Sequence, residues 1–101
     1  MSRTETDWPV PLDHPAFAGH FPGQPILPGV VLLDGALRAA RERLPAVRAW
    51  GIPQAKFLQP VRPGDALKLC LSELPSGALA FVFERDGQAV ASGQLRAVAS
   101  A

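Results

Sequence analysis

The sequence predicts an α+β fold in which one long helix packs against a mostly antiparallel sheet. Six of the eleven prolines fall within residues 9–28, a density that excludes both a helix interior and a central strand. Apolar residues then recur at intervals of three and four up to residue 44, which is typical of a helix. Beyond residue 50 apolar and polar residues alternate, which is typical of half-buried strands.

The predicted helix spans residues 28–44. Pro28 and Gly29 open it, because proline is tolerated near the first helical position, where its missing N–H costs nothing. Gly35 lies in the helix interior and is expected to mark the close approach of another backbone. One apolar stripe runs along a face of this helix, and it comprises Val30, Leu33, Leu37, Ala40 and Leu44.

Strands are predicted on both sides of the helix. A short strand near residues 8–10 comes first, and a strand over 50–57 is expected to bend at Gly51 and Pro53. The Asp86–Gly87 pair predicts a type I′ hairpin turn before the last strand. The remaining predicted strands begin at Leu67, Leu79 and Gln88, and the last one ends at Val98.

The composition predicts one domain over residues 1–101 that depends on a partner subunit. A chain of 101 residues buries about two-thirds of its unfolded surface at most. Only 19% of the residues are charged, below the usual ~25%, so association is expected to cover some apolar surface. A net charge of +1 is too small for a nucleic-acid footprint, and no apolar run approaches the ~18 residues of a membrane span.

The cysteine content and the N-terminal residues bear on the compartment. Cys70 is the one cysteine and cannot form an intrachain disulfide, so we expect a small buried or half-buried residue there. The first residues contain neither the apolar region nor the cleavage site of a signal peptide. We therefore expect a cytoplasmic protein with no membrane partner.

One stretch combines a base, backbone N–H groups and an acid within a short distance along the chain. His20 lies in the proline-rich loop, and an unperturbed imidazole titrates at about pH 6.5, which suits a general base. Gly29 and Val30 come at a helix start, where amides lack intrahelical acceptors and the helix dipole is positive. Asp34 follows at the edge of the apolar stripe. The combination suits proton transfer beside a carbonyl.

Two sequence blocks carry a family resemblance. The first is Gly19-His20-Phe21-Pro22-Gly23-x-Pro25-x-x-Pro28-Gly29-Val30, with Leu33-Asp34 after it, and the second is Lys56-Phe57-x-x-Pro60-Val61-x-Pro63-Gly64-Asp65. In this order they resemble the hot-dog-fold 3-hydroxyacyl-[acyl carrier protein] dehydratases of fatty acid synthesis. The resemblance covers residues 14–65, and the strands up to residue 98 suit the rest of that fold.

The resemblance implies an antiparallel sheet wrapped around one central helix, in a homodimer or higher homo-oligomer with active sites at the subunit interface. His20 of one subunit and Asp34 of the other would be the catalytic pair, and Asp34 matches the branch of the family that uses Asp. The N–H groups of Gly29 and Val30 would hold the oxyanion. The expected substrate-binding positions are Phe21, Pro22, Gly23, Pro28 and Arg38.

The resemblance also implies a substrate and partners. The substrate would be an acyl thioester on the phosphopantetheine of acyl carrier protein or of CoA, and no metal or bound cofactor is expected. Arg38 stands where the family usually has Gln, and it could pair with Asp34 and hold it ionised, which suits orienting a water better than donating a proton. With Gly35 and the short start of the chain, this is similar to the small dehydratases of aryl-polyene and related specialised lipid pathways.

Alternatives stay open beside this interpretation. A thioesterase on the same fold would use Asp34 to activate water, although hydrolysis needs no separate base such as His20. A non-catalytic subunit would dock the carrier protein and partner an active paralogue, and Arg38 beside Asp34 favours that alternative. His14 is interpreted as a turn residue before Pro15, because its spacing to His20 matches no standard metal-ligand pattern. The arginines at 38, 41, 43 and 48 form either a docking surface for the carrier protein or a solvated helix face.

Overall fold

The computed structural model describes residues 3–17 and 25–98 and shows one helix against an antiparallel sheet. The helix α1 covers Gly29–Arg43, and a 3-10 turn covers Pro15–Phe17. The strands are β1 (Arg3–Pro9), β2 (Trp50–Phe57), β3 (Ala66–Glu73), β4 (Leu79–Arg85) and β5 (Gln88–Ala97). The predicted α+β layout is confirmed, and the first strand is longer and begins earlier than the alternation near residues 8–10 indicated.

The sheet has the order β1-β3-β4-β5-β2, with all neighbours antiparallel. Strand β2 follows the helix in sequence but pairs with β5, so it forms one edge of the sheet while β1 forms the other. A register shift between Gly51 and Gln54 marks the predicted bend at Pro53. Asp86 and Gly87 have φ values of 53° and 79°, as a type I′ turn requires, and the predicted hairpin is confirmed.

The core lies between α1 and the inner face of the sheet. Trp8 on β1 packs edge-on against Phe83 on β4, with ring centroids 5.0 Å apart. The buried residues of the central strands are large, whereas those of the helix are mostly small. The strand contribution comprises Leu67, Leu69, Leu71, Leu79, Phe81, Phe83 and Leu95, and the helix buries Leu32, Gly35, Ala36 and Ala40.

The predicted apolar stripe of α1 is wrong in part. Val30 is 68% exposed, and Leu33, Leu37 and Leu44 are only half-buried at the margin of the core. The close approach at Gly35 involves a side chain rather than a backbone, because a Cβ there would lie 2.8–2.9 Å from the indole of Trp8. Small residues therefore face the sheet, and a pattern built on large apolar residues misses that face.

Cys70 lies beside Arg3 on the face of the sheet that points away from α1. Cys70 is buried, as expected, on the outer face of β3, where its Sγ lies 3.5 Å from Arg3 Nη2. That hydrogen bond is the main cause that raises the pKa of Arg3 above its ordinary value, with Glu5 adding to it.

Over the described ranges, no helix has the length and apolar character to cross a bilayer.

Candidate active site

A groove of about 350 Å³ opens between the start of α1 and the segment that follows β2. One wall is formed by Ile26, Leu27, Pro28, Gly29 and Leu32, and the other by Phe57, Leu58, Gln59, Pro60 and Val61. Both walls are mainly apolar, as ligand sites usually are. The groove therefore joins the two sequence blocks that carry the family resemblance.

The helix start lies in this groove without a side-chain cap. Pro28 is the N-cap, in an extended conformation with φ −60° and ψ 143°, and no side chain of the described residues caps the helix there. The first N–H groups of a helix have no intrahelical acceptor, and the helix dipole adds a partial positive charge. An oxygen atom placed at this end of the groove could accept hydrogen bonds from the backbone.

Gly29 allows the ring of Phe57 to lie close to the start of α1. A Cβ on Gly29 would lie 2.7 Å from two ring carbons of Phe57, so any side chain here would displace that ring. Phe57 is itself 52% exposed at the end of the edge strand. The absence of a side chain leaves the first turn of α1 against the opposite wall of the groove. The next residue, Val30, points its side chain to solvent, so only its backbone could serve the site.

Asp34 lies further along α1 and forms the expected ion pair with Arg38. Arg38 Nε donates to Asp34 Oδ2 at 2.8 Å. The two side chains are 73% and 53% exposed, so the pair stands on the surface of this chain. One carboxylate oxygen is thus engaged by the guanidinium, while Asp34 remains open to a substrate or a partner.

The predicted catalytic residue His20 and the predicted substrate-binding residues Phe21, Pro22 and Gly23 lie outside the described residues. The pairing of His20 with Asp34 therefore stays a prediction. The chain on either side of this segment is held in place. His14 accepts hydrogen bonds from Ala16 N through Nδ1 and from Phe17 N through its carbonyl, both at 3.0 Å, as a turn residue does. On the other side, Leu27 N donates to Val61 O at 2.7 Å.

A family model described as ApeI dehydratase, of the ApeI-like family, matches residues 1–94. The chain belongs to the ApeI-like dehydratase family. The recognised family, the hot-dog fold and the dehydratase (hydro-lyase) class are thereby confirmed.

Relatives of this ApeI-like dehydratase include curated enzymes and solved structures. It is 38% identical over 103 residues to 3-hydroxyacyl-[acyl-carrier-protein] dehydratase FabZ of Syntrophotalea carbinolica, covering 88% of this chain and 69% of that protein. It is 40% identical to FabZ of Chlamydia trachomatis over 85% of this chain and 65% of the relative. The chain thus spans about two-thirds of the length of these relatives.

One solved structure matches the ApeI-like dehydratase over a larger share of both chains than these relatives do. The dehydratase heterocomplex ApeI:P from Xenorhabdus doucetiae matches with a TM-score of 0.79 and 28% identity. The match covers 93% of this chain and 85% of that one.

Two residues that position the groove wall 57–61 of this ApeI-like dehydratase were not predicted from the sequence. Arg85, at the end of β4, bonds to the segment 59–65, and the carbonyl of Val90 accepts from Leu58 N at 2.9 Å and Gln59 N at 3.3 Å. Val90 lies where the pairing of β4 and β5 shifts register. Arg85 gave no local signal, because its partners lie 20 to 26 residues away in the sequence.

Proposed function

We propose that this dehydratase removes water from 3-hydroxyacyl thioesters to give trans-2-enoyl thioesters, in fatty acid or related lipid and polyene synthesis. The observation that carries the proposal is the uncapped start of α1 at Gly29, which faces an apolar groove in a chain of the ApeI-like dehydratase family. The substrate would be carried on the phosphopantetheine of acyl carrier protein or of CoA. That no metal or bound cofactor takes part stays a prediction.

The reaction needs a base, an oxyanion site and a group that assists the departing hydroxyl. His20 would remove the proton from the carbon next to the thioester carbonyl, and the electron pair would move to the carbonyl oxygen. The N–H groups of Gly29 and Val30 would stabilise this enolate oxygen. When the carbonyl re-forms, the bond from carbon 3 to its hydroxyl breaks and the hydroxyl leaves as water. Its proton would come from Asp34, which regains one from the His20 imidazolium, or from that imidazolium through a water that Asp34 orients.

The ion pair between Arg38 and Asp34 bears on the role of the acid. A carboxylate that accepts from a guanidinium at 2.8 Å is suited to accept further hydrogen bonds from a water or from the imidazolium. We therefore favour the orienting role for Asp34. Arg38 would in turn bind substrate oxygen atoms near the reacting carbon, and Phe21, Pro22, Gly23 and Pro28 would line the approach.

A dimer through the β2 edge completes the proposed site. One side of β2 pairs with β5, and no other strand of the described residues pairs with its other side. Exposed apolar side chains gather along it, with Ile52 at 37%, Phe57 at 52%, Leu58 at 54% and Val98 at 52%. An unpaired strand edge beside apolar side chains is a template for another strand. A second copy, or a higher homo-oligomer, would cover this surface and close the groove.

The carrier protein and the compartment complete the proposal. Arg38, Arg41 and Arg48 are exposed on or just after α1, which suits an acidic carrier protein that delivers the thioester to the groove. We expect a cytoplasmic setting, supported by a single cysteine that has no intrachain partner.

The test is turnover of 3-hydroxyacyl thioesters, with products measured by mass spectrometry. Wild type should form the enoyl product, His20→Ala should lose at least about 100-fold in kcat, and Asp34→Asn should lose at least about tenfold. Arg96→Gln, an exposed change on β5, is the control and should keep wild-type turnover. Unchanged rates in His20→Ala would contradict the assignment. Release of free thiol without enoyl product would point to a thioesterase.

A second candidate, a subunit of a heterocomplex, is favoured by two observations. The similar structure from Xenorhabdus doucetiae is a dehydratase heterocomplex, and in this chain the Arg38 guanidinium bonds to one carboxylate oxygen of Asp34. In that case the purified chain would bind acyl carrier protein and dehydrate nothing alone. Turnover that appears only after adding a second dehydratase chain would establish this candidate, and full turnover by the pure chain would exclude it.

A further inference from the structure

We propose that Arg85 is a positioning residue for the oxyanion side of the site, acting through the segment 59–65 on the start of α1. The inference rests on the proposed function for its kinetic part only. Arg85 lies at the end of β4, and its guanidinium donates to three acceptors on that segment. Nη1 donates to Asp65 Oδ2 at 2.7 Å and to the carbonyl of Pro60 at 3.0 Å, and Nη2 donates to Gln59 Oε1 at 3.1 Å.

The ion pair is built into the turn that Asp65 closes. Asp65 Oδ2 also accepts from Arg62 N at 2.9 Å, and Asp65 N donates to Arg62 O at 3.1 Å. The side chains of Arg85 and Asp65 are 23% and 21% exposed, against 73% and 53% for Arg38 and Asp34. Solvent therefore screens this pair less. The planar guanidinium contacts Asp65 through Nη1 and Gln59 through Nη2, so it fixes a direction as well as supplying a charge.

The held segment connects directly to the helix start. Val61 follows Pro60, and its carbonyl accepts from Leu27 N at 2.7 Å. Val61 and Leu27 are 2% and 4% exposed, so this bond is shielded from water. Leu27 is followed by the N-cap Pro28 and by Gly29, the proposed oxyanion donor. One short path of hydrogen bonds thus runs from the sheet through the groove wall to the backbone that would hold the enolate oxygen.

Arg38 and Arg85 would therefore have different roles at the proposed site. Arg38 contacts Asp34 and would face the substrate, whereas the side-chain hydrogen bonds of Arg85 within the described residues all go to the segment 59–65 and fix the position of that wall. Misplacement of an oxyanion donor by about 1 Å can cost on the order of 100-fold in rate, because the hydrogen bond must meet the charge where it develops. Ground-state binding in an apolar groove depends much less on that distance.

The experiment compares Arg85→Gln and Arg85→Lys with wild type. Arg85→Gln should lower kcat by about 10- to 100-fold with KM changed by less than about threefold. Arg85→Lys keeps the positive charge but lacks the planar guanidinium. We therefore expect its kcat to lie between those of Arg85→Gln and wild type. Arg3→Gln is the matched control, since it removes an exposed ion pair with Glu5 on the opposite sheet edge and should leave both constants unchanged.

Amide hydrogen exchange supplies a readout that does not depend on turnover. In folded Arg85→Gln, exchange at Leu27 should rise at least about tenfold, while the β3–β4 amides stay protected. Unchanged Leu27 exchange, a kcat within twofold of wild type, or a loss explained by global unfolding of both Arg85 variants would each overturn the positioning role. If Leu27 responds but wild type dehydrates nothing, the link is upheld and the proposed function fails instead.

Discussion

Gly35 of α1 shows how one missing side chain sets the distance between the helix and the sheet. The space that a Cβ would need is taken by the indole of Trp8, which is itself packed against Phe83. A glycine inside a helix costs about 1 kcal/mol relative to alanine. Here the close contact with Trp8 offsets that cost. Helix propensity thus favours alanine at this position, whereas packing against Trp8 favours glycine.

Gly35→Ala should therefore destabilise the protein despite its better helix propensity. Overpacking typically costs 1–3 kcal/mol, so we expect a net loss of about 1–2 kcal/mol in the free energy of unfolding, measured with urea. Gly51→Ala is the control, since its Cβ would make ordinary contact at 3.7 Å with Val98. In a Trp8→Leu background the alanine should become neutral or stabilising. A more stable Gly35→Ala in wild-type background would contradict this account.

At the scale of elements, the hairpin between β4 and β5 aligns the strand end that carries Arg85. The turn residues Asp86 and Gly87 both have positive φ, and nothing lies within 4 Å of a Cβ built on Gly87. The requirement for glycine at this position is thus one of backbone conformation and not of space. The register that the turn sets places Arg85 opposite Gln88.

Gly87→Ala should cost about 1 kcal/mol in the free energy of unfolding, because an L-residue at φ 79° is strained. Asp86→Asn is the matched control, since Asn tolerates a φ of 53° and should change stability by less than about 0.5 kcal/mol. Thermal and urea unfolding both measure the difference. Equal stability of the two variants would mean that the turn does not restrain the hairpin.

For the whole molecule, the isolated chain is more extended than its length predicts. Its radius of gyration is 14.1 Å, whereas a compact domain of 100 residues has about 13 Å. Among residues 3–17 and 25–98, six large hydrophobic residues are exposed, and four of them, namely Ile52, Phe57, Leu58 and Val98, lie along or next to the β2 edge. An extended chain that exposes four large apolar side chains along one edge is suited to a two-fold partner.

Ile52→Lys with Val98→Lys should weaken the proposed dimer, because two added charges would be buried beside a strand edge. Sedimentation should show dimer for wild type and a shift toward monomer for the double variant, with turnover falling on dilution. Asp7→Lys reverses a charge on the opposite edge strand, β1, and should leave the assembly intact. A wild type that sediments as monomer at assay concentrations and still turns over would contradict a shared site.

The sequence by itself determined the α+β class, the helix to within a residue at each end, the Asp86–Gly87 hairpin and the family. These features rest on local periodicity, turn chemistry and contiguous motifs, which act over a few residues. The roles of His20 and Asp34 remain predictions made at that level.

Only the tertiary structure decided which face of α1 is buried, that Trp8 is the neighbour of Gly35, and that Arg85 reaches the groove wall. Each of these depends on contacts between residues far apart in the chain, which become neighbours through the sheet order β1-β3-β4-β5-β2. Side-chain hydrophobicity predicts that a helix has a buried face, but the size of what packs against it decides which residues fit there.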